Sequence, residues 1–217
     1  MSDPAIRRRS MVQGQVLTNK VTDEQVTEAL LTVPREAFVP RELRGVACVD
    51  EDLPLAPGRY LMEPMVLARL LQVAELKDSE SVLNVGCGTG YVAAVLARLA
   101  GGVVALESQA ELAARARQLL AQQGVANVVI VEADLPAGHA AQAPYDAILI
   151  EGAVECLPAA LPGQLAEGGR LICIERTGAV GHAVLYRKVG GLVARRELFD
   201  AQAPLLPGFS KPRGFRF

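Results

Sequence analysis

Apolar residues fall into two regimes along this chain. From residue 81 onward they come in short, nearly continuous runs: Val82-Leu83-Asn84-Val85, Val103-Val104-Ala105-Leu106 and Ala147-Ile148-Leu149-Ile150. Runs of this kind suit parallel strands buried on both faces. Between them apolar positions recur at helical spacing, as at Val92, Val95, Leu96 and Leu99. The pattern predicts strands over 81–85, 102–106, 127–132, 145–150 and 169–175, and helices over 90–99, 109–123 and 155–166. Residues 182–200 read as two more strands joined around Gly190-Gly191. The alternation is that of an α/β protein with a doubly wound sheet, whose ligand belongs at the carboxyl ends of the strands.

The first third of the chain is patterned differently. Residues 5–18 and 23–32 read as helices, the second capped by Asp23 and stopped by Pro34. Residues 40–63 are rich in breakers and acids (Pro40, Asp50, Glu51, Asp52, Pro54, Pro57, Gly58) and read as a long ordered loop. Loops of that length are usually functional. Helix returns over Pro64–Leu76, with Pro64 at a permitted first position. One domain over 1–217 is expected: N-terminal helices and a loop over 1–63, a core over 64–200, and a basic, aromatic tail over 201–217. The tail aromatics Phe209, Phe215 and Phe217 suit packing or a homodimer contact better than substrate stacking.

Composition narrows the function classes. The 217 residues are 51% hydrophobic and 21% charged, which is globular and not disordered. A net charge of −2 argues against a nucleic-acid binder, and the run Arg7-Arg8-Arg9 is short enough to be a solvated helix face. No apolar stretch is long enough for a membrane span, and no apolar segment follows the first charged residues as in a secretory signal. Cys48, Cys87, Cys156 and Cys173 are widely spaced and read as reduced thiols, which points to the cytoplasm. His139 and His182 have no partners at metal-ligand spacing, so no metal is expected; His182 reads as a surface residue.

The candidate chemistry lies between the first two strands of the core. Glycines at 86, 88 and 90 separate strand from helix, and the next strand ends in Glu107. A glycine turn lets a ligand approach the backbone, and an acid at the next strand end can accept both hydroxyls of a ribose. This is a nucleoside-cofactor device. The dinucleotide fingerprint wants a third glycine at position 91, where Tyr91 stands. The observed G-x-G-x-G resembles motif I of class I S-adenosylmethionine-dependent methyltransferases. A tight turn without any ligand is the bland alternative.

The resemblance extends over almost the whole chain. Its pieces are Val33-Pro34-Arg35-Glu36-Ala37-Phe38-Val39-Pro40, Leu53-Pro54-Leu55, Gly58 to Pro64, Asn127-Val128, Glu132-Ala133-Asp134, Pro144-Tyr145-Asp146-Ala147-Ile148 and Gln164 to Leu171. They resemble the protein-L-isoaspartate O-methyltransferase family. The resemblance implies a seven-stranded Rossmann-like sheet with an N-terminal helical extension, S-adenosylmethionine as cofactor, and carboxyl methylation of damaged aspartyl residues in proteins or peptides. It implies cofactor contacts from Asn84, Gly86, Cys87, Gly88, Gly90, Glu107, Ser108 and Asp134; Leu135 and Glu151 are cofactor-side candidates that depart from the family, which has Gly at the first position and Thr at the second. Glu151, just past the fourth strand, also suits a helix-capping acid.

One segment departs from the family. Its pattern Gly-Gln-Thr-Ile-Ser-Gln-Pro reads here as Gly58-Arg59-Tyr60-Leu61-Met62-Glu63-Pro64. Both hydroxyl positions, which the family sets beside the acceptor carboxylate, are lost. Met62 offers no hydrogen-bond donor, and Glu63 adds a like charge for an anionic acceptor to meet. Arg59 is the candidate to offset that charge. Arg59, Tyr60, Met62 and Glu63 are therefore the acceptor-side candidates. Three readings stay open: an isoaspartyl methyltransferase with a divergent loop, a methyltransferase for another, unidentified small acceptor, and a non-catalytic cofactor-binding paralogue.

Overall fold

The computed structural model describes residues 3–211. Five strands run parallel: β3 (Ser81–Val85), β4 (Gly102–Glu107), β5 (Val128–Glu132), β6 (Tyr145–Val154) and β7 (Leu165–Glu175). The hairpin β8 (His182–Val189) and β9 (Leu192–Asp200) adds two antiparallel strands. The order is β5-β4-β3-β6-β7-β8-β9, so the chain reverses direction across the sheet between β3 and β6. A ligand of an open α/β sheet sits at such a switch point. The seven-stranded sheet implied by the resemblance is present.

Strand periodicity divides the core in two. Val82, Val103, Ala105 and Leu149 point to one face, with α3 (Pro64–Ala74), α4 (Tyr91–Leu96) and the N-terminal helices α1 (Pro4–Met11) and α2 (Glu24–Thr32). Leu83, Val85, Leu106 and Ile150 point to the other, where Leu135, Leu161, Leu206 and Phe209 cover them. That second face carries less helix than the pattern predicts. The helix expected over 155–166 is reduced to α6 (Ala160–Gly163). Pro158, Pro162 and Gly163 break it, since proline cannot donate within a helix and clashes with the preceding turn. The helix α5 (Ala110–Gln122) packs on β4 and β5.

Other local readings hold or shift by a turn. Asp23 caps α2, accepting from the amides of Gln25 and Val26 at 2.9 and 3.2 Å. The helix expected over 5–18 is α-helical only to Met11, then passes through a π turn at Val12–Val16 and a tight turn at Leu17–Asn19. The loop 40–63 contains a small separate hairpin, β1 (Leu53–Ala56) and β2 (Arg59–Leu61). Arg35 anchors its base. Fully buried, Arg35 donates to the carbonyls of Ala47 (2.7 Å) and Met62 (2.6 Å) and lies over the Tyr91 ring at 4.9 Å. Of the tail, Phe209 is buried against the second face, whereas Phe215 and Phe217 lie outside the described residues. Among the described residues no helix is long and apolar enough to cross a membrane, and no cluster of three His, Cys, Asp or Glu could hold a metal ion.

Candidate active site

The glycine turn closes over the end of β4. The amides of Gly86 and Cys87 both donate to the Leu106 carbonyl, at 2.8 and 3.0 Å. Gly86 and Gly88 have φ of +83° and +54°, the left-handed region that glycine enters without a Cβ penalty. Glu107 ends β4 directly beneath the turn and is fully buried. Its Oε2 accepts from the Gly88 amide at 2.8 Å, and its Oε1 from the amides of Ser108 (2.9 Å) and Gln109 (3.0 Å).

A fourth donor also reaches Glu107. The Nη2 of Arg59, carried on β2, donates to Glu107 Oε2 at 2.7 Å and to the Gly86 carbonyl at 2.6 Å. Arg59 is only 1% exposed. The structure thus places this acceptor-side candidate inside the glycine turn. Its neighbours complete a plug. A methyl group built on Gly86 would lie 3.2 Å from both terminal nitrogens of Arg59 and 3.1 Å from Leu206 Cδ1. One built on Gly88 would lie 2.8 Å from Leu55 Cδ1. The backbone of the turn and the acid beneath it suit S-adenosylmethionine. The side chains that fill the turn do not: with Arg59, Leu55 and Leu206 in place, the cofactor does not fit.

The remaining sequence candidates separate into groups. Asn84 is buried in β3, and its Nδ2 donates to Glu151 Oε1 at 2.7 Å. Glu151 caps no helix. It lies within β6, which continues to Val154, at a bulge between Leu149 and Ala153. Bulges beside active sites re-aim side chains, and this one brings Glu151 to Asn84. Burial pushes the Glu151 carboxyl up to about 8, against the opposing pull of Asn84 and Arg59. Cys87 is buried and its thiol is pushed up, chiefly by burial. Gly90 heads α4. Ser108 and Asp134 are exposed, and Leu135 packs into the second core face. His182 lies on β8, away from the turn, with Nδ1 3.1 Å from Asp200 Oδ1.

On the acceptor side a cleft with only about 10 Å³ of free volume lies beside the turn, lined by Asp52, Tyr60, Met62 and Glu151 and closed by residues 203–206. Ligand pockets commonly reach roughly 300–1,000 Å³, so little room is left. Glu63 stands at the start of α3 and does not line this cleft. Its amide donates to Asp52 Oδ1, and that of Met65 to Asp50 Oδ1, both at 3.0 Å. Burial, then Asp50 and Asp52, push the Glu63 carboxyl up to about 7. Sequence patterning assigns no site role to Leu55, Leu206, Asp52 or Arg35, although all but Leu206 fall within the motifs and loop described above. Leu206 sits in a proline-bracketed apolar pair, Leu205-Leu206, which was the one available signal.

Comparisons with known proteins agree with this architecture. Residues 7–198 match the family model described as protein-L-isoaspartate(D-aspartate) O-methyltransferase. A protein-L-isoaspartate O-methyltransferase from Koribacter versatilis (strain Ellin345) is 38% identical over 212 residues, 96% of each chain. A solved protein-L-isoaspartate O-methyltransferase superposes with a TM-score of 0.80 at 25% identity, covering 93% of this chain and 66% of that one. A Plasmodium falciparum protein, solved with S-adenosyl-L-homocysteine, shows the same fold at a TM-score of 0.80 and 18% identity, over 95% of this chain and 99% of its own. This chain belongs to the protein-L-isoaspartate(D-aspartate) O-methyltransferase family of S-adenosylmethionine-dependent methyltransferases.

Proposed function

We propose that this chain is a carboxyl methyltransferase of the isoaspartate type whose acceptor cleft is rebuilt so that isoaspartyl peptides are poor substrates. The carrying observation is the lining of the cleft. Tyr60 and Met62 stand where the family has its hydroxyls, and two acidic residues, Asp52 and Glu151, line the same space. A buried carboxylate acceptor needs donors, and Met62 supplies none from its side chain. Acidic neighbours oppose a second anion. Burial favours the protonated form of Glu151 at neutral pH, which removes part of that repulsion and leaves the rest to Asp52. A cytoplasmic location fits the free thiols of Cys48, Cys87, Cys156 and Cys173, and no role in nucleic-acid binding is proposed.

The test is radiolabelled methyl transfer to an isoaspartyl peptide. The triple variant Tyr60→Thr, Met62→Ser, Glu63→Gln is expected to exceed the parent by roughly ten- to a hundredfold, the worth of a recovered donor to an anion. Efficient turnover by the parent, unimproved by the triple change, sinks the rebuilt-cleft reading.

A further inference from the structure

Arg59 occupies the place that a cofactor's ribose would take on Glu107. We propose that it is a latch: the hairpin β1–β2 carries Arg59 and Leu55 into the glycine turn, holds the cofactor site closed, and must swing out before the cofactor binds. This rests on the cofactor reading of the turn given above.

Four features make the plug a movable part. The hairpin is a two-stranded sheet that pairs with no strand of the main sheet, and such hairpins are marginal on their own. Its base is fixed: Leu61 and Met62 are buried, and Arg35 grips the Met62 carbonyl. Its tip is tied to the turn through few points: Arg59 on Gly86 and Glu107, and one bond from Gln109 Nε2 to the Pro57 carbonyl at 3.2 Å. Arg59 itself is only partly satisfied. Its buried Nε and Nη1 have no hydrogen-bond partner among the described residues, so a single nitrogen carries every bond the side chain makes.

The acid beneath does not depend on the latch. With Arg59 withdrawn, Glu107 keeps three backbone donors, from Gly88, Ser108 and Gln109, and one lobe of Oε2 is released toward the turn. Opening therefore exposes a preformed acceptor at the position where ribose hydroxyls bind in sheets of this topology. A closed majority state lowers apparent affinity by the fraction that is open.

Calorimetric titration with S-adenosyl-L-homocysteine tests this on the full chain. Arg59→Gln, the family's residue, is expected to bind at least about tenfold more tightly than the parent. Equal affinities for parent and variant overturn the latch and leave the cofactor reading standing. Absence of binding to both proteins, each shown folded by its melting curve, overturns the latch and the cofactor reading together. Should Arg59→Gln fail to fold, Arg59→Met removes the guanidinium while keeping an unbranched stem, and the same outcomes apply to it.

Discussion

Glu107→Ala is expected to destabilise the protein by about 3–5 kcal/mol, the usual penalty for removing one partner of a buried ion pair. Two losses combine. Arg59 is left 1% exposed with its charge unmatched, because Glu107 is its ion-pair partner. The amides of Gly88, Ser108 and Gln109 lose their acceptor at the same time. For a chain of this size the change corresponds to a fall in melting temperature of roughly 10 °C. Arg59→Gln should cost clearly less, since it leaves Glu107 with three backbone donors. The double variant Glu107→Ala, Arg59→Met should recover part of the single loss, because the stranded charge is gone. Thermal denaturation of the four proteins checks this. If Glu107→Ala melts with the parent, the ion pair is not the keystone of the turn.

What the sequence made legible was what local rules govern. The glycine turn, the strands on either side of it, the Asp23 cap and the Pro64 helix start all rest on residues within a few positions of one another. Those signals survive folding because each satisfies its own backbone groups. The helix expected over 155–166 failed on a local rule as well, for Pro158 and Pro162 outweigh the apolar spacing around Leu157 and Leu161.

The site itself was only half legible. Glu107 was found because the acid ends a strand after a glycine turn. Arg59 was placed at the acceptor, yet its partners lie 27 and 48 positions along the chain, at Gly86 and Glu107. No periodicity carries that distance. Leu206 reaches the turn only because residues 204–206 bond to Ala153 across the end of β6, through Ala153 N to Pro204 O and Leu206 N to Ala153 O, both 2.9 Å. The apolar run predicts a strand ending at Ile150, whereas β6 continues past Glu151, so the approach of Glu151 to Asn84 depends on a bulge that the run does not announce. Each of these depends on tertiary packing.

The second large effect concerns Glu151 and pH. Burial holds its carboxyl at about 8 in the folded chain, against an ordinary 4.5. Between those values the folded state keeps a proton that the unfolded state has released, so stability must fall as pH rises. Stability from this group is fully present below about 4.5, declines through the neutral range and levels off above about 8. The decline is on the order of 3–5 kcal/mol at 1.36 kcal/mol per pKa unit. Glu63, raised to about 7, adds a smaller slope of the same sign in an overlapping window, weakened by its partial exposure. Glu151→Gln keeps the oxygen that accepts from Asn84 and removes the titration. Melting temperatures of parent and variant across pH 5.5 to 9 should therefore diverge, the parent falling steeply and Glu151→Gln staying nearly level apart from the Glu63 contribution. Parallel curves would mean that Glu151 is charged throughout. Its carboxylate would then face the acceptor cleft as a second full negative charge beside Asp52, and the exclusion of anionic acceptors would be stronger than a protonated Glu151 allows.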